Sequence, residues 1–216
     1  MNIAIIGTGN VGRALTQAFV RAGHSVVLAS RDPDHASQLA TTTGATVATS
    51  NAEAAAAADI VVLAVPFSSV VDIAPDIADA VTGKVVVDVT NRMSFGADGP
   101  DMDTSISNAE ELASLLPGAS VVKAFNTLFA SNQDDPFADG VQLDGFVAGN
   151  DVATKRQVLD LVASIGLNPV DVGPLARARQ LEGLAFLNIT VNIANNGSWQ
   201  SGWKLVGAPA SVPVAA

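Results

Sequence analysis

The feature that most constrains this chain is a short apolar strand running straight into a glycine-spaced turn and an amphipathic helix. Met1 to Ile6 is the apolar run, and Gly7-Thr8-Gly9-Asn10-Val11-Gly12 follows it with G-x-G-x-x-G spacing. In such a turn the first glycine permits a tight bend, the second lets the backbone approach a pyrophosphate, and the third lets the helix lie close to the strand. The phosphates sit on the helix's free amides. Val11, Leu15 and Phe19 recur at every fourth position with Ala14, Ala18 and Ala22 between them, the stripe of a helix packed on a sheet. Gly23-His24 ends that helix, and Ser25 to Ala29 reads as a second strand.

The residue at the tip of the second strand is where an adenosine ribose arrives. NAD enzymes usually place Asp or Glu there, whereas this chain has Ser30-Arg31. A charge-assisted hydrogen bond contributes roughly 1.5 to 3 kcal/mol, so Arg31 and the Ser30 hydroxyl on a 2′-phosphate favour NADP(H) roughly tenfold to a hundredfold or more. His35 lies one turn into the next helix, near the adenine end, where it either touches the 2′-phosphate or faces solvent.

Composition sets outer limits. A length of 216 residues accommodates one full α/β domain and a small appendage. The patterns divide it into a dinucleotide-binding Rossmann domain over 1–150, a small carboxyl-terminal α/β lobe over 151–206, and a tail over 207–216. No run of about 20 apolar residues occurs. Met1 leads directly into the first strand without a basic leader, so a soluble, cytoplasmic protein is expected. The absence of cysteine excludes disulfides and thiolate chemistry, which leaves any redox role to a bound cofactor. With a net charge of −10 and no Lys/Arg cluster, neither nucleic acid nor an anionic membrane is expected as a partner. Small-molecule redox coenzymes are.

Strand and helix patterns alternate, which predicts βαβ units and a Rossmann-type, doubly wound, mostly parallel sheet. Ile60 to Val65 and Val85 to Val89 are continuous apolar runs, as expected of strands buried on both faces. Met93 to Ser107 is rich in Gly, Asp, Pro and Ser and reads as a long mobile loop beside the site. A second irregular stretch follows Thr127 through about Gly140, and a last helix spans about Leu175 to Asn196.

In an open α/β sheet, ligands bind outside the carboxyl ends of the strands. Ala64-Val65-Pro66, Thr90-Asn91 and Ala124-Phe125-Asn126-Thr127 stand at such ends and offer the small residues and amides suited to a nicotinamide ring and its ribose. The chain has no tyrosine, and its histidines are poorly placed to protonate a carbonyl. The sequence leaves open which way Lys123 points. No catalytic acid or base is assigned, and no His/Cys cluster, H-E-x-x-H or G-x-S-x-G constellation indicates a metal or nucleophile site. Reduction of an isolated ketone needs a proton donor as well as a hydride, whereas a conjugated ring accepts the charge itself. The composition of the site therefore favours hydride exchange between NADPH and another redox coenzyme.

Gly7 to Gly12, Ser30-Arg31, Asp88-Val89-Thr90-Asn91 and Lys123-Ala124-Phe125-Asn126-Thr127 together resemble the F420-dependent NADP oxidoreductases. Gly173-Pro174-Leu175-Ala176-Arg177-Ala178-Arg179-Gln180-Leu181-Glu182 resembles that family's entry to its last helix, so similarity reaches about Val206. The NADPH domains of the membrane ferric reductases are similar too, and pass hydride to a flavin. The resemblance implies a small carboxyl-terminal lobe that completes the acceptor site, a deazaflavin, coenzyme F420, placed against the nicotinamide in the cleft between lobe and Rossmann domain, and a homodimer. It puts the pyrophosphate on Thr8 to Gly12, the 2′-phosphate on Ser30 and Arg31, the nicotinamide half by Ala64 and Asn91, and the acceptor by Asn126 to Leu128. His35 stands where relatives often have a second cation, and Arg92 where they frequently have proline; Arg92 meets either an anionic acceptor tail or solvent. Nothing in the sequence separates deazaflavin from flavin, and a non-enzymatic NADP sensor remains a further reading.

Overall fold

A computed structural model describes residues 1–97 and 99–207. Beyond Gly207, the tail read from the sequence lies outside the described residues. The elements run β1 (Asn2–Ile6), α1 (Asn10–Arg21), β2 (Ser25–Ala29), α2 (Pro33–Thr43), β3 (Thr46–Val47), α3 (Asn51–Ala56), β4 (Ile60–Leu63), α4 (Phe67–Ile77) and β5 (Val85–Asp88). They continue through β6 (Ser94–Gly96), β7 (Gly99–Asp101), α5 (Asn108–Leu115), β8 (Ser120–Lys123), α6 (Ala130–Asp134), β9 (Phe137–Ala138), β10 (Val141–Gln142), β11 (Asp144–Gly149), α7 (Val152–Ser164) and β12 (Asn168–Gly173). A 3-10 turn at Leu175–Arg177 then leads into α8 (Ala178–Asn195).

Side chains alternate along a strand, and here the alternation builds two cores. Ile3 and Ile5 of β1 pack with Leu15 and Phe19 of α1 on one face of the sheet, while Ala4 and Ile6 join Val70 and Ala74 of α4 on the other. Ile60 and Val62 of β4 belong to the first core, Val61 and Leu63 to the second. A strand buried on both faces reads as an unbroken apolar run, which is why these segments stand out in the sequence.

The main sheet has eight strands in the order β12-β11-β8-β5-β4-β1-β2-β3. The pairs from β3 to β8 are parallel, as expected, and the fold is a Rossmann-type α/β architecture. β11 runs antiparallel to β8, so it and its parallel neighbour β12 reverse the direction of the sheet at that edge. These two strands lie on either side of the boundary drawn at 150 and are side by side in one sheet. Strand order turns outward in both directions from β1, which puts a crevice above the carboxyl ends of β1 and β4.

Both irregular stretches contain regular structure that the sequence pattern did not signal. β6 and β7 form an antiparallel ladder within the segment read as a mobile loop, and β9 pairs with β10 beyond α6. All four are two or three residues long, too short for a period of two to be legible. Among the described residues no helix is long and apolar enough to cross a membrane.

α5 begins with a capping box, Ser107 and Glu110 each bonding the other's backbone amide. Arg179 of α8 forms a fork on the same carboxylate, Nε and Nη2 each at 2.8 Å from a Glu110 oxygen. This ties α8 to the helix beside β5 and β8. Hydrogen bonding from the Arg179 guanidinium, aided by the Ser107 amide and hydroxyl, holds the Glu110 carboxyl down to about 2. An unfolded glutamate titrates near about 4.3, so this contact contributes fully above that pH and is lost as the pH falls toward about 2. Glu110→Gln is expected to lower stability by on the order of 1 kcal/mol at pH 7, with the deficit shrinking toward pH 2. Urea unfolding at both pH values checks it; an equal deficit at each would show that the ionised contact is not the cause.

Candidate functional site

The glycine turn is wedged between the ends of β2 and β4. Gly7 has φ +106°, and a Cβ there would lie 2.3 Å from the Ala64 carbonyl oxygen; a Cβ on Gly12 would lie 2.0 Å from that of Gly7. Both positions are closed to any side chain. At Gly9 the added Cβ would meet nothing within 4 Å. The open space at Gly9 lies at the amino end of α1, where a pyrophosphate fits against the backbone.

Two cavities flank this turn. The first, of about 510 Å³, is lined by Gly7, Thr8 and Gly9, by Ser30 and Arg31, and by Ala64, Val65 and Pro66. Thr8 Oγ1 and Ser30 Oγ are 2.9 Å apart, and His35 Nδ1 lies 3.5 Å from the same threonine hydroxyl. Asp32, Asp72 and Asp76 also line this cavity, so Arg31 sits in a mixed field rather than a basic patch.

The second cavity, of about 470 Å³, takes Asn10 and Val11 from α1, Asn91 from the turn after β5, and Asn126, Thr127 and Leu128 from beyond β8. Its opposite wall is Ala185, Asn188 and Ile189 of α8 and the returning chain at Ser198, Trp199 and Gln200. Trp199 meets Phe129 edge to face, with ring centroids 5.2 Å apart. No lining residue of this cavity ionises near neutral pH.

Asn91 and Asn126 are bonded to one another on its wall. Asn126 Nδ2 donates to Asn91 Oδ1 at 2.8 Å, and Asn91 Nδ2 donates to the Asn126 carbonyl at 3.3 Å. Asn126 is 6% exposed, and its Oδ1 is left without a partner. A buried acceptor in that state calls for a donor from a ligand or water. The backbone turn that presents it passes through Phe125, a fully buried aromatic residue with φ 63°. Left-handed backbone costs a bulky residue about 1 to 3 kcal/mol; here packing of its ring edge to face on Phe19 at 5.8 Å and a hydrogen bond from Gln133 to its carbonyl hold it in place.

Beneath the amide pair lies a buried charge cluster. The Lys123 side chain points inward with 0% exposure, and its Nζ donates at 2.7 Å to both Asp88 Oδ2 and Glu182 Oε1 and also to the Thr90 carbonyl. Asp88 Oδ1 accepts from the Thr90 amide and hydroxyl, and Glu182 accepts from the backbone amides of Arg92 and Asn108. Asn91 is therefore clamped on both sides. Burial raises the Glu182 pKa, against the pull of Lys123.

Among the residues singled out in the sequence, Gly7, Thr8, Gly9, Ser30, Arg31, Ala64, Val65 and Pro66 meet in the first cavity, and Asn10, Val11, Asn91, Asn126, Thr127 and Leu128 in the second. Gly12 underlies the turn, Ala124 is fully buried, and His35 touches Thr8 without lining either cavity. His24 sits at the far edge beside Met1, its pKa lowered by burial and by the amino terminus. Arg92 is bound to Glu111, Asp103 and Asn108, with its side chain 26% exposed. Sequence reasoning placed the lobe over 151–206 at the acceptor site without singling out the α8 wall or the Ser198 to Gln200 return, and it named Glu182 only within the family-like segment, with no role assigned.

Residues 2–92 match the profile described as NADP oxidoreductase, coenzyme F420-dependent. The F420-dependent NADP reductase of Methanothermobacter thermautotrophicus is 33% identical over 219 aligned positions, covering 90% of each chain. A solved Arthrobacter structure proposed to be an F420-dependent NADP-reductase superposes with TM-score 0.85 at 32% identity, covering 95% of this chain and 99% of that one. The rat metalloreductase STEAP3 is 32% identical over 183 residues, which span 84% of this chain but 36% of that protein.

Removing the central cation leaves two buried carboxylates facing each other. Breaking a buried ion pair costs about 3 to 5 kcal/mol, so Lys123→Met is expected to lower the unfolding free energy by that amount, measured in urea. A loss below about 1 kcal/mol would mean that the cluster contributes no more than a surface pair.

Proposed function

This chain belongs to the coenzyme F420-dependent NADP oxidoreductases, and from that premise we propose that it transfers a hydride between NADP(H) and the deazaflavin coenzyme F420. The observation that carries the proposal is the pair of cavities on either side of one glycine turn: one has a cation and hydroxyls for a 2′-phosphate, the other a neutral lining for a conjugated ring. The residues fit a dinucleotide. Gly9 leaves room for the pyrophosphate, and Asn126 Oδ1 offers an unused acceptor to a ligand N–H.

When bound, NADPH supplies the hydride. The protein's own residues bind, align and dry the site. Thr8 to Gly12 present backbone amides to the phosphates, and Arg31 with Ser30 selects the 2′-phosphate. The Asn91–Asn126 amide pair fixes the register of the reacting end, and Val11, Leu128 and the Phe129–Trp199 contact exclude water. With no ionisable group lining the second cavity, catalysis by proximity and orientation is the mode the site supports, and a ring able to carry the charge is the acceptor it suits. Similarity to the metalloreductases keeps a flavin acceptor as the alternative.

A homodimer is part of the proposal; Leu187 and Val191, one turn apart on α8, are each 49% exposed and available for such an interface. Sedimentation equilibrium giving a monomer at micromolar concentration would remove that part.

NADPH consumption with F420, FMN and FAD offered in parallel tests the reaction. Turnover with F420 alone is expected, turnover with flavin alone would favour the alternative, and NADPH binding without turnover of any would sink both. Arg31→Asp is expected to reverse the cofactor preference, moving the NADPH to NADH ratio of kcat/KM by tenfold or more, on the scale of one charged hydrogen bond. An unchanged ratio would refute the role of Arg31. Gly9→Ala is expected to cost at most about 1 kcal/mol of stability as a weaker helix cap while weakening NADPH binding at least tenfold; equal NADPH affinity in the variant would take the pyrophosphate away from Gly9.

A further inference from the structure

Past α8 the chain forms a strap over residues 197–205 with no helix or strand of its own. Its backbone is paired instead with side chains of α6, α8 and β11. Ser131 Oγ donates to the Trp199 carbonyl, Asn132 Nδ2 to that of Gln200 and Asn188 Nδ2 to that of Ser201. At the far end Asp144 accepts from the Lys204 ammonium and the Leu205 amide.

Trp199 is the strained point of the strap. Its φ of 58° is left-handed, a conformation that a bulky residue keeps only where its surroundings fix it. Two bonds do so, one on each side of the residue. The Trp199 amide donates to Asn192 Oδ1 at 3.1 Å, and the Trp199 carbonyl accepts from Ser131 Oγ at 2.7 Å. Asn192 is 5% exposed and lines neither the first nor the second cavity. Its Nδ2 is occupied by Asn188 and by Ser201 Oγ. A Cβ on Gly197 would collide with Asn192 Oδ1, so the chain leaves α8 pressed against this amide.

We propose that Asn192 is a positioning residue for the acceptor half of the site, an inference that rests on the ring-acceptor reading above. By holding the Trp199 amide it keeps the indole edge to face on Phe129, and so sets the shape of the neutral cavity without touching what the cavity holds. Loss of that bond releases Trp199 from the left-handed region and turns its indole off Phe129. The first cavity shares no residue with the strap and is unaffected.

The chain's two tryptophans, Trp199 and Trp203, both lie on the strap, so intrinsic fluorescence reports on it alone. Asn192→Leu removes the amide at similar volume and is expected to add a nanosecond component to the decay of tryptophan anisotropy that the parent lacks. Calorimetric titration with F420 and FMN in the presence of NADP⁺ gives the second readout. For whichever ring the parent binds, the variant is expected to bind at least about threefold more weakly, with NADP⁺ affinity kept within about twofold, the scale of one neutral hydrogen bond. Ser131→Ala, at an exposed position, removes the other bond to Trp199 and is expected to show the same anisotropy component and the same selective loss; it carries the test if Asn192→Leu does not fold. An unchanged anisotropy decay, an unchanged ring affinity, or ring and NADP⁺ affinities that fall together overturns the role of Asn192 while leaving the ring acceptor standing. Failure of the parent to bind either ring overturns the ring-acceptor reading and the role of Asn192 together.

Discussion

Lys123 carries its ammonium into the interior, where an isolated charge costs several kcal/mol, and it persists there because Asp88 and Glu182 each lie 2.7 Å away. The three groups come from β5, β8 and α8, so the contact binds the carboxyl edge of the sheet to the last helix. Both carboxylates are occupied further. Asp88 holds the Thr90 amide and hydroxyl, and Glu182 holds the amides of Arg92 and Asn108. Thr90 and Arg92, the neighbours of Asn91 in the second cavity's wall, are thus bonded to the cation and to one of its carboxylates. Such a cluster is a poor source of net stability compared with an apolar core. What it contributes is position, because a network satisfied on all sides has one geometry.

Above it, the Asn91–Asn126 pair depends on the backbone on each side. The turn around Asn91 is clamped through Thr90 and Arg92, and Asn126 follows a left-handed phenylalanine whose ring is locked in the core against Phe19. Strain at Phe125 and an unpaired acceptor at Asn126 occur in adjacent residues. Local departures of this kind concentrate where a ligand supplies the missing partner.

Much of the architecture was legible from the chain, since buried parallel strands leave long apolar runs and the glycine turn has a fixed spacing. The first cavity was legible where its wall comes from the turn itself and from the ends of β2 and β4, but its α4 side at Ser69, Asp72, Ile73 and Asp76 was not. The second was only half visible. Asn91 and Asn126 stand at recognisable strand ends, but Ala185, Asn188 and the Ser198 to Gln200 return come from far along the chain, and no local pattern announces a contact between residues separated by so much sequence. The inward path of Lys123 was invisible for the same reason: its partner Glu182 is 59 positions away. The two small ladders, β6 with β7 and β9 with β10, escaped because strands of two or three residues have no period to read.

The two halves of the site are built from different stretches of chain. The wall of the first cavity is complete by Asp76, whereas most of the wall of the second is contributed after Lys123. Substitutions in the later segments fall outside the chain that forms the first cavity's wall, so under the proposed function the acceptor side can vary while the nucleotide side stays fixed. A chain built on this plan can change its later segments without moving the glycine turn or the ends of β2 and β4.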